Sequence, residues 1–291
     1  MIKGISHLLT RAVMQRFVEP KRRKQFEAQT EPFVHRTPSG PVFELWPNEY
    51  VDRVIAVEGM FERRFISYLR SILPPEAVML DIGANIGNHA IFLAANCQAI
   101  HCFEPNPKVA ERLRQNIVHN DLADRISVHE FGLGDRDEML TFAECAGNLG
   151  ASKFIRSGEK AAFSQQTMQL EVKCAAGAIA ALNLARIDFI KIDVEGMEEA
   201  VLTALKPVIA RYRPIVAFEH HEHLATPGTF SRIRSLFENY RMMEPCFAPD
   251  GSVKDKLFWN LRYDGGPLLT EVAEPEQRTY DNVLAFPNPS T

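Results

Sequence analysis

From Ala77 onward the chain alternates short apolar runs with longer amphipathic stretches, and this rhythm restricts its possible folds more than any other feature. The apolar runs have the length of strands, and the stretches between them carry apolar residues at helical spacing. Strands that alternate with such helices predict an α/β fold of the Rossmann-like kind, with a mostly parallel, doubly wound sheet. The predicted strands are 77–82, 99–104, 126–131, 187–193 and 214–219, and the predicted helices are 87–96, 107–119, 197–205 and 230–240.

Two later segments depart from this rhythm. Residues 135–186 contain several glycines between polar residues and one candidate strand at 168–174, so we expect an excursion from the sheet that covers the site. Residues 257–263 and 280–286 predict one or two final strands, of which at least one is antiparallel, with a loop through Gly265 and Gly266 between them.

Residues 1–50 form a basic N-terminal extension, and residues 51–291 form the predicted catalytic domain. The first 24 residues carry seven Lys or Arg side chains against one acid, Glu19, and their apolar residues recur at helical spacing. They contain no long apolar core and no cleavage site of a signal peptide. Two interpretations stay open: a helix that packs on the domain or on a partner subunit, which we favour, and a peripheral contact with an anionic membrane.

The bulk composition limits the partners. The net charge of −4 gives no global basic field, so we expect no nucleic-acid partner. The five scattered cysteines form no CxxC pair, which favours a reducing, cytoplasmic location over a disulfide framework or a zinc site. Nothing in the sequence indicates the oligomeric state.

The segment DIGANIGN, from Asp81 to Asn88, follows a predicted strand and opens a predicted helix. Glycines in such a turn let the backbone approach a ligand closely. Glu104 ends the next strand, close to the roughly 20-residue spacing at which an acid reaches ribose hydroxyls in dinucleotide folds. These features predict a nucleotide site.

The turn also indicates which nucleotide binds. Its glycines, Gly83 and Gly87, have the spacing GxxxG, whereas a dinucleotide fold has GxGxxG and a P-loop has GK[ST]. An acid at Asp81 is poorly placed for phosphate but suits an ammonium or a sulfonium group. S-adenosylmethionine carries both groups, has no phosphate and offers a ribose to Glu104. We therefore predict this cofactor.

Several motifs resemble one family of enzymes. The runs VMLDIGANIGNHAIFLA, CFEPNP, HEFGLGD, IDFIKIDVEGMEEAVL and RPIVAFEHH occur in this order, within residues 58–286. Together they resemble the FkbM-type methyltransferases. The resemblance implies a class I methyltransferase fold, S-adenosylmethionine as the methyl donor, and O-methylation of a sugar or a natural product.

The resemblance also implies roles for single residues. The methionine part of the cofactor would lie along the turn that contains Asp81, Gly83, Ala84, Asn85, Gly87 and Asn88, and against Asp193. Glu104 would hold the ribose, with Asn106 near the adenine. Gly132 and Leu133 would lie against the adenine edge, although family members often have Ala at the position of Gly132.

Methyl transfer to a hydroxyl needs a base, because an alcohol is a poor nucleophile until its proton is being removed. Lys191, Asp193 and Glu195 alternate along the chain and would share one face of an extended strand. Asp193 is the first candidate for the base or for a group that orients the acceptor. The alternative is that Asp193 caps the next helix, with Glu195 in its first turn.

A second cluster follows the fifth strand. Glu219, His221 and His223 share a face if the chain stays extended, and histidine is suited to act as a base near neutral pH. The same residues would also suit a divalent metal or a solvated surface loop, but their spacing is not HExxH and we assign no metal. Glu219 and His221 are therefore candidate catalytic residues.

Three other functions remain open. Methylation of a nitrogen on a protein or a nucleic acid is the nearest, although the sequence contains neither DPPY nor NPPY. An inactive nucleotide-binding module would keep the fold and would not need Asp81 or Asp193. A redox enzyme is disfavoured by the missing third glycine.

Overall fold

The computed structural model describes residues 18–155, 166–221, 224–247, 266–272 and 279–289 of the 291-residue chain. Its strands are β1 (Phe33–Arg36), β2 (Val42–Leu45), β3 (Ala77–Ile82), β4 (Cys97–Phe103), β5 (Ile126–His129), β6 (Gly132–Gly134), β7 (Glu138–Ala143), β8 (Lys153–Phe154), β9 (Thr167–Cys174), β10 (Phe189–Ile192), β11 (Ile215–His220), β12 (Tyr240–Cys246), β13 (Leu268–Glu271) and β14 (Tyr280–Pro287). Its α-helices are α1 (Glu19–Glu27), α2 (Tyr50–Glu58), α3 (Arg63–Ile72), α4 (Asn88–Leu93), α5 (Pro107–His119), α6 (Ala175–Ala181), α7 (Glu198–Tyr212) and α8 (Thr229–Ser235).

The main sheet confirms the predicted fold class. Its eight strands run in the order β13-β12-β14-β11-β10-β3-β4-β5. The five strands from β11 to β5 are parallel, whereas β14, β12 and β13 join by antiparallel pairs. After β3 the chain adds β4 on one side of β3, and it later adds β10 and β11 on the other side of β3. The strand order therefore reverses between β3 and β10, where open α/β sheets bind ligands.

The two faces of the sheet carry separate hydrophobic cores, because successive side chains of a strand point to opposite faces. Met79 and Phe189 belong to the core that also contains residues of α2, α3, α4 and α5. Their neighbours Leu80 and Ile190 belong to the core that contains residues of α6, α7 and α8. Helices thus cover both faces, as a doubly wound sheet requires.

The excursion predicted for residues 135–186 is ordered around a second sheet of four strands, β6-β9-β7-β8. Strands β7 and β9 pair antiparallel over six residues each, and β6 pairs parallel with the end of β9. The candidate strand at 168–174 is confirmed as β9. Strand β7 is an addition to the predicted elements.

The described part of the N-terminal extension packs on the main core. Phe26, Phe43 and Leu45 are buried there. Two side-chain amides, one in α5 and one directly after it, hold the β1–β2 hairpin: Asn116 Oδ1 accepts from Glu44 N at 2.7 Å, and Asn120 Oδ1 accepts from Val42 N at 2.8 Å. The amphipathic segment at residues 1–17 lies outside the described residues, and the domain boundary at residue 50 stays a prediction.

Two helices were predicted with the wrong last residue. The helix predicted at 230–240 ends at Ser235, and Tyr240 instead begins β12. Asn239 has a φ of +58°, so the chain turns there although Phe237 continues the apolar spacing of a helix. The helix predicted at 197–205 runs on to Tyr212, and Pro207 lies inside it. The predicted last strand is confirmed as β14, whereas residues 257–263 lie outside the described residues.

Within the described ranges, no helix combines the length and the apolar character that a membrane crossing needs.

Candidate functional site

A cleft of about 640 Å³, including its open mouth, lies at the carboxyl ends of β3, β4 and β10. Seven of the predicted site residues line the cleft: Gly83, Asn85, Glu104, Gly132, Leu133, Asp193 and Glu195. The structure therefore brings these seven residues together, and their roles stay predictions.

The glycine turn after β3 is built for close backbone packing. Gly83 has a φ of +81°, and a Cβ added to it would lie 1.8 Å from the carbonyl oxygen of Asp193. Gly87 has a φ of +89°, and a Cβ there would lie 2.5 Å from Leu113 of α5. Both positions therefore require glycine on account of the protein's own packing. Gly83 also lines the cleft, whereas Gly87 holds the turn against α5.

Glu104 is held at the edge of the cleft by two backbone N–H groups. Asn85 N donates to Oε2 at 3.0 Å, and Asn106 N donates to Oε1 at 2.9 Å. Burial raises the pKa of Glu104 to about 7, and these two hydrogen bonds oppose that rise. Carboxylate oxygens keep lone pairs beyond these two bonds, so Glu104 can accept further donors from a ligand in the cleft.

Asn106 supports Glu104 from behind. Its Oδ1 caps α5 by accepting from Lys108 N at 3.1 Å, and its Nδ2 donates to Glu144 Oε1 at 3.0 Å. Lys108 Nζ lies 3.1 Å from Glu144 Oε2. Asn106 is almost fully buried and is not among the residues that line the cleft, so its contact with an adenine stays a prediction.

Two other predicted cofactor residues also lie behind the turn. Asn88 binds the backbone of Phe61 twice, because its Nδ2 donates to the carbonyl at 3.0 Å and its Oδ1 accepts from the N–H at 3.2 Å. Ala84 is buried, and its N–H donates to Phe103 O at 3.1 Å. These contacts connect the turn to α3 and β4, and the roles of both residues toward a cofactor stay predictions.

Asp81 and Lys191 form a buried pair beneath the cleft. They are register partners on β3 and β10, and Lys191 Nζ lies 3.8 Å from Asp81 Oδ1 and 3.0 Å from Asp193 Oδ2. Burial raises the pKa of Asp81. Burial opposes the charged form of Lys191, but Asp193 and Asp81 raise the pKa of its ammonium nonetheless. Lys191 therefore links the two acids as a cation.

Asp193 and Glu195 continue into the cleft, and neither caps a helix. Helix α7 begins only at Glu198, whose carboxylate accepts from Gly196 N at 3.0 Å and from Val194 N at 3.2 Å. The alternative in which Asp193 is the helix cap is therefore wrong. Glu195 has a φ of +49°, a conformation that side chains rarely adopt and that often marks functional positions.

Glu195 has the acid–base property expected of a catalytic carboxylate. Burial, and then the nearby charge of Asp193, raise its pKa to about 7. It lines the cleft beside Asp193. A carboxylate with a pKa near neutrality is suited to accept a proton in the physiological range.

Glu219 and His221 form a pair beside these acids. His221 Nε2 lies 2.9 Å from Glu219 Oε2. Burial and the charge of Asp193 raise the pKa of Glu219, and the hydrogen bond to Glu219 raises the pKa of His221. Neither residue lines the cleft, and His223 lies outside the described residues. In the part of the chain that the structure describes, no group of three or more His, Cys, Asp or Glu is arranged to hold a metal.

Sequence reasoning missed a polar cluster that faces Lys191 from the other side. Glu62 Oε1 accepts from Asn282 Nδ2 at 2.7 Å, and Glu62 Oε2 lies 2.9 Å from His89 Nε2. Burial opposes its charged form, but the His89 contact holds the pKa of Glu62 below its usual value. These residues come from the start of α3, from α4 and from β14, so no local motif joins them.

The apolar wall of the cleft was also missed in part. The second sheet supplies Phe142 and Phe154, which join Leu133 and Met197 around the cleft. A Cβ added to Gly132 would lie 3.1 Å from the ring of Phe154. The glycine at this position therefore makes room for that ring.

A family model described as the methyltransferase FkbM domain matches residues 81–242, which is more than half of the chain. The chain belongs to the FkbM methyltransferase family. The matched region runs from the Asp81 turn through the whole second sheet to β12, and it contains every predicted site residue.

Curated relatives agree with this FkbM assignment. The chain is 29% identical over 169 residues to the 2-O-methyltransferase NoeI of Sinorhizobium fredii, across 52% of this chain and 65% of that protein. It is 27% identical over 227 residues to Methyltransferase 1 of Beauveria bassiana, across 71% and 89%. It is 28% identical over 228 residues to the antimetabolite synthetase AmbE of Pseudomonas aeruginosa, across 66% of this chain and 10% of AmbE. The chain thus spans less than two thirds of AmbE and of NoeI.

Among solved structures, the FkbM methyltransferase of Methylobacillus flagellatus is similar over 73% of this chain and 43% of that protein, with 17% identity and a TM-score of 0.43. An O-methyltransferase of Thermotoga maritima is similar over 89% and 78%, with 11% identity and a TM-score of 0.44.

Proposed function

We propose that this FkbM protein transfers a methyl group from S-adenosylmethionine to a hydroxyl of a small molecule or a sugar. One observation carries the proposal: the carboxylates of Glu104, Asp193 and Glu195 line a single cleft. The first acid suits a ribose, and the other two suit a cation and a proton transfer.

The residues of the cleft fit S-adenosylmethionine by their chemistry. Glu104 offers carboxylate oxygens to ribose hydroxyls, and the apolar wall of Leu133, Phe142 and Phe154 suits an adenine. Among the described residues that line the cleft there is neither Lys nor Arg, so the site is poorly suited to the pyrophosphate of NAD. The negative charges of Asp193 and Glu195 suit a sulfonium.

When bound, the cofactor would supply an electrophilic methyl group on a cationic sulfur. The protein would contribute position and charge. Asp193, oriented by Lys191 at 3.0 Å, places a negative charge at the cleft, and Glu104 is oriented by the backbone N–H of Asn85. A ligand held by both acids would present its methyl group to the acceptor in one orientation, and such positioning supplies much of the rate of a displacement reaction.

We assign the base to Glu195 rather than to Asp193, the first candidate from the sequence. Asp193 Oδ2 already accepts from the ammonium of Lys191 at 3.0 Å, so this oxygen is engaged within the protein. Glu195 lines the same cleft, and its pKa is raised to about 7. Its carboxylate would take the proton of the acceptor hydroxyl as the oxygen bonds to the methyl carbon and the carbon–sulfur bond breaks, which would release S-adenosylhomocysteine. Glu219 and His221 do not line the cleft, and their catalytic role stays a prediction.

The charge of the cleft favours a neutral acceptor. The carboxylates of Asp193 and Glu195 line the cleft, so a phosphate or a nucleic-acid backbone would be repelled. A neutral sugar or polyol offers hydroxyl donors that carboxylates bind well. The name of the relative NoeI, a 2-O-methyltransferase, supports the same choice.

We further propose a cytoplasmic location and leave the peripheral membrane contact of the basic N-terminus as an open alternative. The described cysteines are all free, and Cys97 and Cys102 are buried in the core, which fits a reducing compartment.

The test is a calorimetric titration of the full chain with S-adenosylmethionine, with NAD and with S-adenosylmethionine after Glu104→Ala. Binding of S-adenosylmethionine that is lost in the variant, with no heat from NAD, supports the proposal. A screen of neutral sugars and polyols as acceptors follows, with their phosphorylated forms as a control. Absence of heat and of thermal stabilisation by S-adenosylmethionine would exclude it as the cofactor.

A further inference from the structure

One wall of the cleft is held in place by residues that precede the family match. We call the short 3₁₀ turn Leu149–Ala151 the roof turn, because Leu149 and Gly150 line the cleft. Leu149 N donates to the Glu49 side chain, at 2.8 Å from Oε2. Tyr50 N donates to Gly147 O at 3.1 Å, immediately before the turn.

The segment that holds the roof turn is itself firmly anchored. We call residues 46–52 the anchor segment. Asp52 is buried, accepts from Trp46 N at 2.6 Å and forms an ion pair with Arg112 of α5. The Arg112 guanidinium lies over the Trp46 ring, 4.4 Å from its centroid. A buried, hydrogen-bonded ion pair of this kind is costly to break, so the anchor segment is fixed to α5.

Helix α5 also positions Glu104, the acid assigned to the ribose of the cofactor. The roof turn and Glu104 therefore both depend on α5 for their positions. The helix begins at Pro107, directly after Asn106, whose N–H donates to Glu104. The roof turn in turn lies against the glycine turn. A Cβ added to Gly150 would lie 2.8 Å from Asn85 Nδ2, and Asn85 N donates to Glu104.

These contacts connect the roof turn to Glu104 along two routes. One route runs from Glu104 through Asn106 and α5 to the anchor segment, where Glu49 binds the roof turn. The other route runs from Glu104 through Asn85 to Gly150 of the roof turn. On the first route, the bond between Glu49 and Leu149 N connects a charged side chain to the backbone of the roof turn, and such charge-assisted bonds are among the stronger ones.

We infer that Glu49 is a positioning residue that holds the roof turn over the bound cofactor and slows its release. The inference rests on the proposed function for the identity of the ligand. Loss of the bond leaves the cleft lining otherwise complete, so entry of the ligand changes little. A loosened roof turn allows faster escape, and the effect therefore falls mainly on the dissociation rate.

The experiment measures the dissociation of S-adenosylhomocysteine from the full chain by stopped-flow competition. We expect Glu49→Ala to raise the dissociation rate about tenfold, the usual loss for one hydrogen bond to a charged group. Glu49→Gln keeps an acceptor oxygen and should lie between that variant and the wild type. Glu31→Ala, at an exposed glutamate of the same N-terminal region, is the matched control and should leave the rate unchanged.

A second readout needs no ligand. Hydrogen exchange at the Leu149 amide should be faster in Glu49→Ala than in the wild type, whereas exchange in β3 should be equal in both. Glu49→Asp, which keeps the charge but withdraws the oxygens by one methylene, gives the same comparison if the alanine variant does not fold.

The outcomes separate the two proposals. If the wild type does not retain S-adenosylhomocysteine, the proposed cofactor and this inference both fail. If the wild type retains it, and Glu49→Ala releases it at the same rate with unchanged exchange at Leu149, the inference alone is overturned.

Discussion

The two ends of the cleft are built in different ways. We use the word end for each of two groups of acids in and beneath the cleft. At the Glu104 end, the carboxylate accepts from the backbone N–H groups of Asn85 and Asn106. At the other end, the acids around Lys191 come from the carboxyl ends of β10 and β11 and from the start of α3, and burial together with the charge of Asp193 raises the pKa of Glu219 to about 8. The first end is held by backbone hydrogen bonds, and the second by contacts between charged side chains.

This difference predicts that variants at the two ends affect different steps. The carboxylate of Glu104 is held in place to bind the ligand, so changes at Glu104 should act on the affinity for the cofactor. Glu195 is the proposed proton acceptor, so changes at Glu195 should act on the rate of methyl transfer.

The largest effect is expected for Glu195→Gln. We expect kcat to fall by about 10²- to 10⁴-fold, the usual contribution of a general base, while the affinity for S-adenosylmethionine changes little. Kinetics at saturating cofactor and calorimetry measure the two quantities separately. Glu111→Gln, at an exposed site of α5, is the control. Equal losses in kcat and affinity would contradict the division between the two ends.

The pH profile sharpens the same comparison. Because the pKa of Glu195 is raised to about 7, the charged base is present above that pH and is lost as the pH falls through it. The rate of methyl transfer at saturating substrates should therefore rise about tenfold per pH unit below pH 7 and level off above it. In Glu195→Gln the residual rate should no longer depend on pH in this way. If the rate of the variant still rises with pH below pH 7, the base is another group.

At the Glu104 end, Glu104→Ala should weaken S-adenosylmethionine binding by about 10- to 150-fold, the range expected for hydrogen bonds to a charged group. The value of kcat at saturating cofactor should stay within a few-fold of the wild type, because the proposal assigns Glu104 to cofactor binding and Glu195 to the proton transfer. Calorimetry and saturation kinetics measure these effects. A variant that binds normally shows that Glu104 does not hold the ribose.

The glycine turn offers a smaller test, on stability. Gly83→Ala places a Cβ 1.8 Å from the carbonyl of Asp193 at a φ of +81°, so the free energy of unfolding should fall by at least about 1–3 kcal/mol. Gly177→Ala in helix α6, where a Cβ meets nothing within 4 Å, is the matched control and should stabilise the protein by about 0.4–1 kcal/mol. Denaturant titration measures both. If Gly83→Ala is as stable as the wild type, the close packing of β3 on β10 is wrong.

The smallest effect is on the pH dependence of stability. Burial raises the pKa of Glu104 to about 7 in the folded protein from its usual 4.5, so the folded state binds a proton that the unfolded state has released between these values. The contribution of Glu104 to stability is therefore present below about pH 4.5 and is lost as the pH rises through 7. The melting temperature of Glu104→Gln should fall less than that of the wild type between pH 5.5 and pH 8. A parallel decline would contradict the raised pKa.

The sequence was sufficient wherever the information was local. The Asp81–Asn88 turn and Glu104 lie at strand ends, and strand ends can be located from apolar runs. Glycines with positive φ, Gly83 and Gly87, are required by the turn itself. The parallel core of the sheet followed for the same reason, since each βαβ unit is a local pattern.

What the sequence did not reveal depends on contacts between distant segments. Glu62 and His89 are separated by a helix and a strand, and they meet only because α3 and α4 pack on the same face of the sheet. Phe142 and Phe154 line the cleft only because β7 pairs with β8 and β9. We assign the base to Glu195 instead of Asp193 because Lys191 contacts Asp193 at 3.0 Å, and this contact can be seen only in the folded structure.

The most direct test of the account is a crystal structure of the protein with S-adenosylhomocysteine. We predict that the ribose hydroxyls lie within hydrogen-bond distance of Glu104 and that the sulfur faces Asp193 and Glu195, with the adenine against Leu133 and Phe154. A ligand bound in the reverse orientation, or bound outside the cleft, would contradict the central claim that its two ends divide cofactor binding from proton transfer.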